Sequence, residues 1–246
     1  MDPQSSSGSR VAFFGGTFDP PHLGHLGVAR AARAALGLDL VLFAPVGAQP
    51  LKPQGTVASF EHRMAMTRLA IASDPAFALS LADAPQPSGA PNYTLETLLA
   101  LRAQLPPSSA LFCLMGADSF ASFRRWHRAA EIPFIASLIV ASRPSESPWS
   151  LDTLNSALPA GLVLEAAPES DTIESEIPLR RFSLRNPAGQ QAPFYLLPGL
   201  HIEISASQIR DQFRSMPQSS ASAPNPDRDL LSPPVLEYIR AHNLYL

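Results

Sequence analysis

A Gly-Gly pair and two histidines lie close together in the segment GGTFDPPHLGH, residues 15–25. Gly15 and Gly16 have no Cβ, so the backbone can turn sharply there and let a bulky anion approach its N–H groups. His22 and His25 are three residues apart, a spacing that puts both on one face at the start of the following helix. Imidazoles at the positive end of a helix could donate hydrogen bonds to phosphoryl oxygens. The segment therefore predicts a phosphate-binding turn.

Metal ligation and plain helix capping are two alternative roles for the histidines. A zinc-binding helix would normally space its histidines four apart with a glutamate between them, and no third ligand stands near His22 and His25. The segment is not a Walker motif, since no Gly-Lys-Ser/Thr follows, and it is not a dinucleotide fingerprint, since Gly-x-Gly-x-x-Gly is absent. We favour phosphate binding over both alternatives.

Hydroxyl and basic side chains come together again in ISASQIR, residues 204–210. Ser205 and Ser207 stand at a predicted helix start, where hydroxyls bind or mimic anions, and Arg210 adds a fixed cationic fork. Taken alone, the same residues also suit an ordinary serine N-cap and a surface arginine.

Lys52 is the only lysine of the chain, which raises the question whether a compact ammonium is needed there.

Alternating strands and helices would position these residues. Short β-rich or continuous apolar runs predict strands, and apolar residues at helical spacing predict helices. The alternation predicts an α/β fold, a doubly wound, Rossmann-like parallel sheet with helices on both faces, whose ligands gather at the carboxyl edge of the strands. The predicted strands are 10–14, 38–46, 77–81, 110–116 and 137–142, and the predicted helices are 22–36, 59–73 and 94–105.

Less regular parts interrupt the single domain that we predict for residues 1–246. Pro, Ser and Glu are frequent in 144–192, which we interpret as an insertion or a flexible segment. The remaining predictions are a flexible N-terminus at 1–9, a short helix at 150–158, a strand at 161–166, β structure at 194–205, a helix at 205–214, a mobile loop at 216–229 and a C-terminal helix at 232–246.

Composition limits the classes of partner. Of 246 residues 46% are hydrophobic and 16% are charged, which is enough apolar material for a real core. The formal net charge is −3 with no basic block, which argues against a nucleic acid polymer as a partner. No apolar run reaches the length of a membrane span, and no signal-peptide pattern is present. The single cysteine, Cys113, allows no disulfide framework. We therefore expect a cytoplasmic protein without a membrane partner, and the sequence leaves homo-oligomerisation open.

The two motifs together resemble those of the nucleotidylyltransferase superfamily. GGTFDPPHLGH is similar to its His-x-Gly-His element, and ISASQIR is similar to its Ile-Ser-x-Thr/Ser-x-x-Arg element. Within the superfamily, most of 11–143 and 193–246 resembles the nicotinate mononucleotide adenylyltransferase family. Two departures are Leu51, where that family often has histidine, and Ser207, where it more often has threonine. The further matching stretches are HRMAMTRLA at 62–70, NYTLETLLAL at 92–101, GADSFASFRRW at 116–126 and VLEYIRAHNLY at 235–245.

The resemblance implies a role for each residue that matches a family motif. It also implies ATP as co-substrate and Mg²⁺ held mainly by phosphate oxygens, with no protein metal ligands. The implied catalytic residues are His22, His25, Lys52 and Arg210; the implied ATP-binding residues are Gly15, Gly16, Thr17, Phe18, Asp118, Ile204, Ser205 and Ser207; and the implied substrate-binding residues are Tyr93, Thr94 and Trp126.

The chemistry of several of these residues leaves alternatives open. Asp118 could bind the ribose or adenine of a nucleotide or cap a helix, and Thr94 is also a good N-cap. Trp126, beside several arginines, could stack on a pyridine ring or be a partly buried helix tryptophan next to a solvated basic face. Arg63 is either structural or phosphate-facing.

The resemblance implies adenylyl transfer from ATP to nicotinate mononucleotide, which gives deamido-NAD and pyrophosphate in NAD biosynthesis. One alternative is transfer to another phosphate acceptor, nicotinamide mononucleotide or phosphopantetheine, although Trp126 and the NYT stretch favour a flat ring. The other is a nucleotide-binding regulator without turnover. Intact His22, His25 and Arg210 argue against a regulator, since a binding protein has no need of transition-state contacts.

Overall fold

The computed structural model describes residues 8–51, 55–142, 149–167, 177–197, 204–215 and 230–246. Within these residues, one sheet is flanked by helices. The strands are β1 Arg10–Gly16, β2 Leu40–Pro45, β3 Phe77–Leu79, β4 Ala110–Gly116, β5 Ser137–Ala141, β6 Val163–Ala166, β7 Arg180–Arg185 and β8 Gln191–Leu197. The helices are α1 Leu23–Leu36, α2 Phe60–Ile71, α3 Thr94–Gln104, α4 Ala117–Ala121, α5 Ile132–Ile135, α6 Leu151–Ala157, α7 Ala206–Ser215 and α8 Pro233–Ala241, with 3₁₀ turns at Phe123–Arg125 and Ala129–Glu131.

The sheet has the strand order β3-β2-β1-β4-β5-β8-β7-β6. Along this order, the pairings that run from β3 through β2, β1, β4 and β5 to β8 are all parallel. The pairings of β8 with β7 and of β7 with β6 are antiparallel. The central strands β1, β4 and β5 are apolar runs buried on both faces, as a parallel sheet requires. The Rossmann-like parallel sheet is therefore confirmed, with the correction that two antiparallel strands extend one edge.

Helices cover both faces, as the sequence predicted. Successive residues of β1 point to opposite sides, so that Phe13 packs in one hydrophobic layer while Ala12 and Phe14 pack in the other. The layer around Phe14 includes buried residues of α1, α2, α7 and α8, and the layer around Phe13 includes buried residues of α3, α4, α5 and α6. None of the helices among the described residues combines the length and the apolar character that a bilayer crossing requires.

The part that we interpreted as an insertion or flexible segment, 144–192, contributes regular elements where the structure describes it. Helix α6 and strand β6 lie at the predicted positions, and strand β7 was not expected from the sequence. β7 pairs with β8 along its whole length and thereby joins this part to the main sheet. The expected mobile loop at 216–229 lies outside the described residues, as do residues 1–7 of the expected flexible N-terminus.

The C-terminal helix is shorter than the predicted range of 232–246. Helix α8 starts after the N-cap Ser232, with Pro233 at its first position, and ends at Ala241. Asn243 and Tyr245 have positive φ values of 50° and 68°, which lie outside the right-handed helical region. The chain therefore leaves the helix and packs Tyr245 into the core.

Alanine substitutions of two neighbouring leucines in α3 test which face of this helix is buried in the core. Leu98 is fully buried and Leu99 is 41% exposed. Leu98→Ala should lower the free energy of unfolding by about 2–5 kcal/mol because it leaves a cavity. Leu99→Ala, the matched control, should change it by less than about 0.5 kcal/mol. Urea denaturation measures both variants, and equal losses would contradict the assignment of α3's buried face.

Candidate active site

The turn between β1 and α1 brings the two motif histidines into contact. His22 is the N-cap of α1, and its backbone N–H donates a hydrogen bond of 3.2 Å to His25 Nδ1. The two imidazole rings pack against each other with their centroids 3.7 Å apart and their planes tilted by 30°. Because Nδ1 of His25 accepts a hydrogen bond, the neutral ring carries its hydrogen on Nε2. The local backbone therefore fixes both the orientation and the tautomer of His25.

Burial keeps His25 neutral. Desolvation, and secondarily the neighbouring His22, hold the pKa of His25 well below its usual value of 6.5. An imidazole in this state offers a hydrogen-bond donor at Nε2 without carrying a charge at neutral pH. Such a donor suits an anion that is already surrounded by cations.

The two glycines at the end of β1 are required by packing. A Cβ on Gly15 would stand 2.7 Å from the ring of Phe13, and a Cβ on Gly16 would stand 3.0 Å from the ring of Phe18. Phe13 and Phe18 are both buried, so the core holds their rings in place. These rings cannot move aside as the end of a mobile side chain would. Any larger residue would therefore displace the strand end or the rings beneath it.

Arg63 has a structural role, which settles the alternative left open by the sequence. Its side chain is 1% exposed and projects from α2 under the turn. Nη1 donates to the carbonyl of Thr17 at 2.7 Å, and Nη2 donates to the carbonyl of Val46 at 2.8 Å. Burial lowers the pKa of Arg63, and the negative charge of Asp19 opposes that effect. One guanidinium thus ties together the loops that follow β1 and β2.

Asp19 holds the same turn from its other side, and sequence reasoning missed it. The carboxylate is buried and accepts hydrogen bonds from the N–H of Val57 at 2.7 Å, from the N–H of Ala58 at 3.1 Å and from the hydroxyl of Tyr245 at 2.7 Å. Its backbone carbonyl accepts a hydrogen bond of 2.7 Å from Arg210 Nη1. The only signal in the sequence was an acidic residue amid apolar and proline residues, which is too general to identify these partners.

The second motif lies beside the first. Arg210 belongs to α7, whose buried residues Ile209 and Phe213 anchor the helix to the sheet. Besides its bond to Asp19, the guanidinium donates from Nη2 to Ser207 Oγ at 3.2 Å. The side chain of Arg210 is therefore held in one orientation at the turn that carries the histidines.

Another part of the cavity wall carries aromatic side chains. The ring of Tyr93 packs against that of His127 with centroids 4.3 Å apart and planes tilted by 32°. The half-buried Trp126 donates its indole N–H to Ser122 Oγ at 3.3 Å. Asn92, just before Tyr93, is buried and fixes the local backbone through the N–H of Ala48 and the carbonyl of Ala84. The flat rings thus stand on a fixed backbone.

The structure corrects two of the capping alternatives. The N-cap of α4 is Gly116, so Asp118 lies within the first turn rather than capping it. The N-cap of α3 is Tyr93, so Thr94 is the first helical residue. Neither Asp118 nor Thr94 is therefore an N-cap residue. Both residues line the same cavity.

All these walls enclose a cavity of about 680 Å³ at the carboxyl ends of β1 and β4. Lys52 lies outside the described residues. Asp19, Asp83, Asn92, Cys113 and His127 also line the cavity, although the sequence analysis gave none of them a role there. The predicted site residues that line it are His22, His25, Arg210, Gly15, Gly16, Thr17, Phe18, Asp118, Ile204, Ser205, Ser207, Tyr93, Thr94 and Trp126.

Asp83 is a buried carboxyl in the cavity wall. It accepts a hydrogen bond of 2.8 Å from Thr97 Oγ1, and its own carbonyl accepts one from the N–H of Gly47. Burial raises the pKa of Asp83 to about 6, with the Thr97 hydroxyl acting in the opposite direction. Within the described residues, no three His, Cys, Asp or Glu side chains come together as a set of metal ligands.

Comparison with known proteins gives consistent matches. The sequence model of the cytidylyltransferase-like family matches residues 13–212. A protein of Trichlorobacter lovleyi named probable nicotinate-nucleotide adenylyltransferase is 35% identical over 236 residues, which is 96% of this chain and 99% of that protein. A protein of the same name from Sodalis glossinidius is 34% identical over 240 residues, which is 96% of each chain.

Solved structures show the same fold. Plasmodium falciparum nicotinic acid mononucleotide adenylyltransferase complexed with NaAD has a TM-score of 0.65 at 15% identity, and the match covers 96% of this chain and 97% of that one. The same enzyme complexed with APC has a TM-score of 0.63 at 16% identity, with the same coverage. At these identities the likeness concerns the fold alone.

Asp83 predicts a pH-dependent stability. Its pKa in the folded protein, about 6, exceeds the ordinary value of 3.8, so folding strengthens proton binding. Its contribution to stability is therefore fully present below pH 3.8 and is lost as the pH rises through 6. Relative to Asp83→Asn, the unchanged protein should gain about 1–2 kcal/mol of unfolding free energy between about pH 7.5 and pH 5.

Urea denaturation at a series of pH values measures this difference. Asp211→Asn is the control, because that carboxyl is 71% exposed. If the curves of the protein and of Asp83→Asn ran parallel over this pH range, the buried carboxyl would not be the source of the dependence.

Proposed function

The chain belongs to the cytidylyltransferase-like family, and from that premise we propose that it transfers the adenylyl group of ATP to nicotinate mononucleotide. The products are deamido-NAD and pyrophosphate, and the reaction is a step of NAD biosynthesis. The name shared by relatives that match 96% of this chain supports the proposal. The observation that carries it is one cavity lined by two packed histidines, an oriented arginine and aromatic rings.

The triphosphate of ATP binds at the end formed by β1, α1 and α7. The N-terminus of α1 directs its positive end at that position, and backbone N–H groups at Gly15 and Gly16 approach the ligand without a Cβ between them. His25 and His22 hydrogen-bond the α- and β-phosphates, while Arg210 neutralises the triphosphate and the leaving pyrophosphate. In this proposal Lys52 adds a second cation.

Further residues hold the nucleoside and the acceptor. Asp118 hydrogen-bonds the ribose or adenine of the nucleotide. The nicotinate ring stacks against Trp126 beside Tyr93 and Thr94, because an indole offers a large flat apolar face. The acceptor ring therefore lies at the opposite end of the cavity from the triphosphate. The residues that border the nucleotide are Thr17, Phe18, Ile204, Ser205 and Ser207.

The reaction needs no covalent enzyme intermediate. An oxygen of the acceptor's 5′-phosphate attacks the α-phosphorus in line, a new P–O bond forms, and the bond to the β-phosphate oxygen breaks with its electron pair leaving on pyrophosphate. Both reactants already carry the reacting groups, so the protein's part is to position two anions and to stabilise charge on the phosphoryl oxygens. Mg²⁺, when bound with ATP, supplies further charge neutralisation and is held mainly by phosphate oxygens.

A cytoplasmic location and the absence of a nucleic acid partner belong to the same proposal. Both rest on the sequence: a net charge of −3, no basic block and a lone cysteine. Burial raises the pKa of the Cys113 thiol to about 12, so the thiol stays protonated and chemically quiet beside the cavity.

The acceptor is tested by measuring pyrophosphate release with Mg·ATP and each of three compounds, namely nicotinate mononucleotide, nicotinamide mononucleotide and phosphopantetheine. We expect turnover selective for the nicotinate form. Selective turnover with either of the two remaining acceptors would overturn the substrate assignment. Measurable ATP binding without turnover on any of the three would instead favour a nucleotide-binding regulator.

His25→Ala should lower kcat by about a hundredfold or more, because it removes one hydrogen-bond donor to the developing phosphoryl charge. His242→Ala is the matched control, since His242 packs against Tyr238 in the C-terminal region and does not line the cavity. Steady-state pyrophosphate release measures both variants. A near-normal kcat for His25→Ala would remove this histidine from the chemical step.

A further inference from the structure

We propose that Tyr245 is a positioning residue for adenylyl transfer: its hydroxyl holds Asp19 and, through Asp19, fixes the place of Arg210 relative to the histidine turn. The proposal rests on the proposed function for its kinetic consequence. Its structural basis is independent of the acceptor, because it concerns only the phosphate end of the cavity.

Tyr245 and Arg210 hold one residue from two sides. The Tyr245 hydroxyl donates to Asp19 Oδ1 at 2.7 Å, and Arg210 Nη1 donates to the backbone carbonyl of Asp19 at 2.7 Å. Asp19 stands three residues before the N-cap His22, within the turn itself. A shift of the Asp19 backbone would therefore move the arginine and the start of α1 relative to each other.

Tyr245 also touches the helix that carries the arginine. Its ring packs with its centroid 6.3 Å from that of Phe213 in α7, three residues after Arg210. Tyr245 is 5% exposed and lies in the core layer that includes α1, α2 and α7. The phenol thus fills the space between the turn after β1 and α7, the two elements that supply the proposed phosphate ligands.

The hydroxyl acts as a permanent donor. Burial, and secondarily the negative charge of Asp19, raise the pKa of Tyr245 far above its ordinary value. Asp19 also accepts hydrogen bonds from the N–H groups of Val57 and Ala58. Loss of the phenol oxygen alone would therefore leave the buried carboxylate with two donors, which allows the fold to survive while the turn gains freedom.

The backbone after α8 is bent so as to deliver this side chain. Tyr245 adopts a positive φ of 68°, a conformation that is uncommon for residues other than glycine, asparagine and aspartate. Strained conformations persist where the surrounding contacts impose them. In Tyr245 this conformation accompanies the hydrogen bond from its hydroxyl to Asp19 Oδ1 at 2.7 Å.

Tyr245→Phe tests the proposal, with Tyr238→Phe as the matched control. Tyr238 belongs to α8, and its hydroxyl pairs with His62 Nδ1 at 3.0 Å rather than with any residue of the turn. We expect Tyr245→Phe to lower kcat about ten- to a hundredfold, the scale of a small misplacement of reacting groups, with KM for the acceptor unchanged. Tyr238→Phe should leave kcat within about twofold.

A double-mutant cycle distinguishes positioning from a general loss of stability. Calorimetry gives the Kd of Mg·ATP for the protein, Tyr245→Phe, Arg210→Ala and the double variant, all with intact folding by urea denaturation. Tyr245→Phe should weaken ATP binding about three- to tenfold, and the effect should shrink below about twofold in the Arg210→Ala background, because the residues act through one contact.

The outcomes separate this inference from the proposed function. Equal effects of Tyr245→Phe in both backgrounds, or no effect on ATP binding, would overturn the positioning role even if the protein turns over nicotinate mononucleotide. Coupling in the ATP-binding cycle without turnover on that acceptor would support the positioning role and overturn the substrate assignment.

Discussion

Two buried side chains of opposite charge, Arg63 and Asp19, hold the backbone between β1 and α1, and the rest of the site depends on that backbone. Arg63 binds the carbonyls of Thr17 and Val46, and Asp19 accepts hydrogen bonds from three donors. Removing a hydrogen-bond partner from a buried charge is costly, so these contacts resist displacement. Each of the two therefore has little freedom to move, and the turn between them has one favoured conformation.

A fixed turn suits a reaction in which the protein supplies no reactive group of its own. The proposed chemistry joins a phosphate to the α-phosphorus of a triphosphate, so its rate depends on how well two anions are aligned. A neutral His25 packed against His22, and an arginine held by two acceptors, provide donors that need no rearrangement when charge develops. Of the two charges that fix the scaffold, Arg63 lies beneath the site, whereas Asp19 lies in the cavity wall with the groups proposed to contact phosphate.

Local patterns allowed much of the fold and of the site to be predicted. The glycines, the helix start at His22 and the apolar run of β1 are close in sequence, so their structure follows from short-range rules. ISASQIR was assigned to the same site only through the resemblance of the two motifs to one superfamily, and in the structure its Ser205, Ser207 and Arg210 line the same cavity as the histidines. Strand β7, RRFSLR, was missed because its arginines and few apolar residues give a weak strand signal, and pairing with β8 defines it.

Contacts between distant parts of the chain could not be predicted in this way. The bond between Asp19 and Tyr245 joins residues 226 positions apart, and no periodicity relates them. Arg63 stands in a segment predicted as an ordinary helix, and its burial and its two carbonyl partners become evident only once β1 and β2 are adjacent. The end of α8 at Ala241, by contrast, has a local signal that the predicted range of 232–246 overlooked: Asn243 adopts a positive φ, and the N–H of Leu244 donates to the carbonyl of Ile239 at 3.0 Å.

The central claim, that one rigid turn aligns ATP with its acceptor, is tested most directly by a crystal structure with nicotinate mononucleotide and a non-hydrolysable ATP analogue. The measured quantities are the distances from the α-phosphate oxygens to His25 Nε2 and to the Arg210 guanidinium. The account predicts hydrogen-bond distances at both, with the Asp19 carbonyl still bound to Arg210 and the pyridine ring against Trp126. A triphosphate bound away from both side chains, or a turn that rearranges on binding, would contradict it.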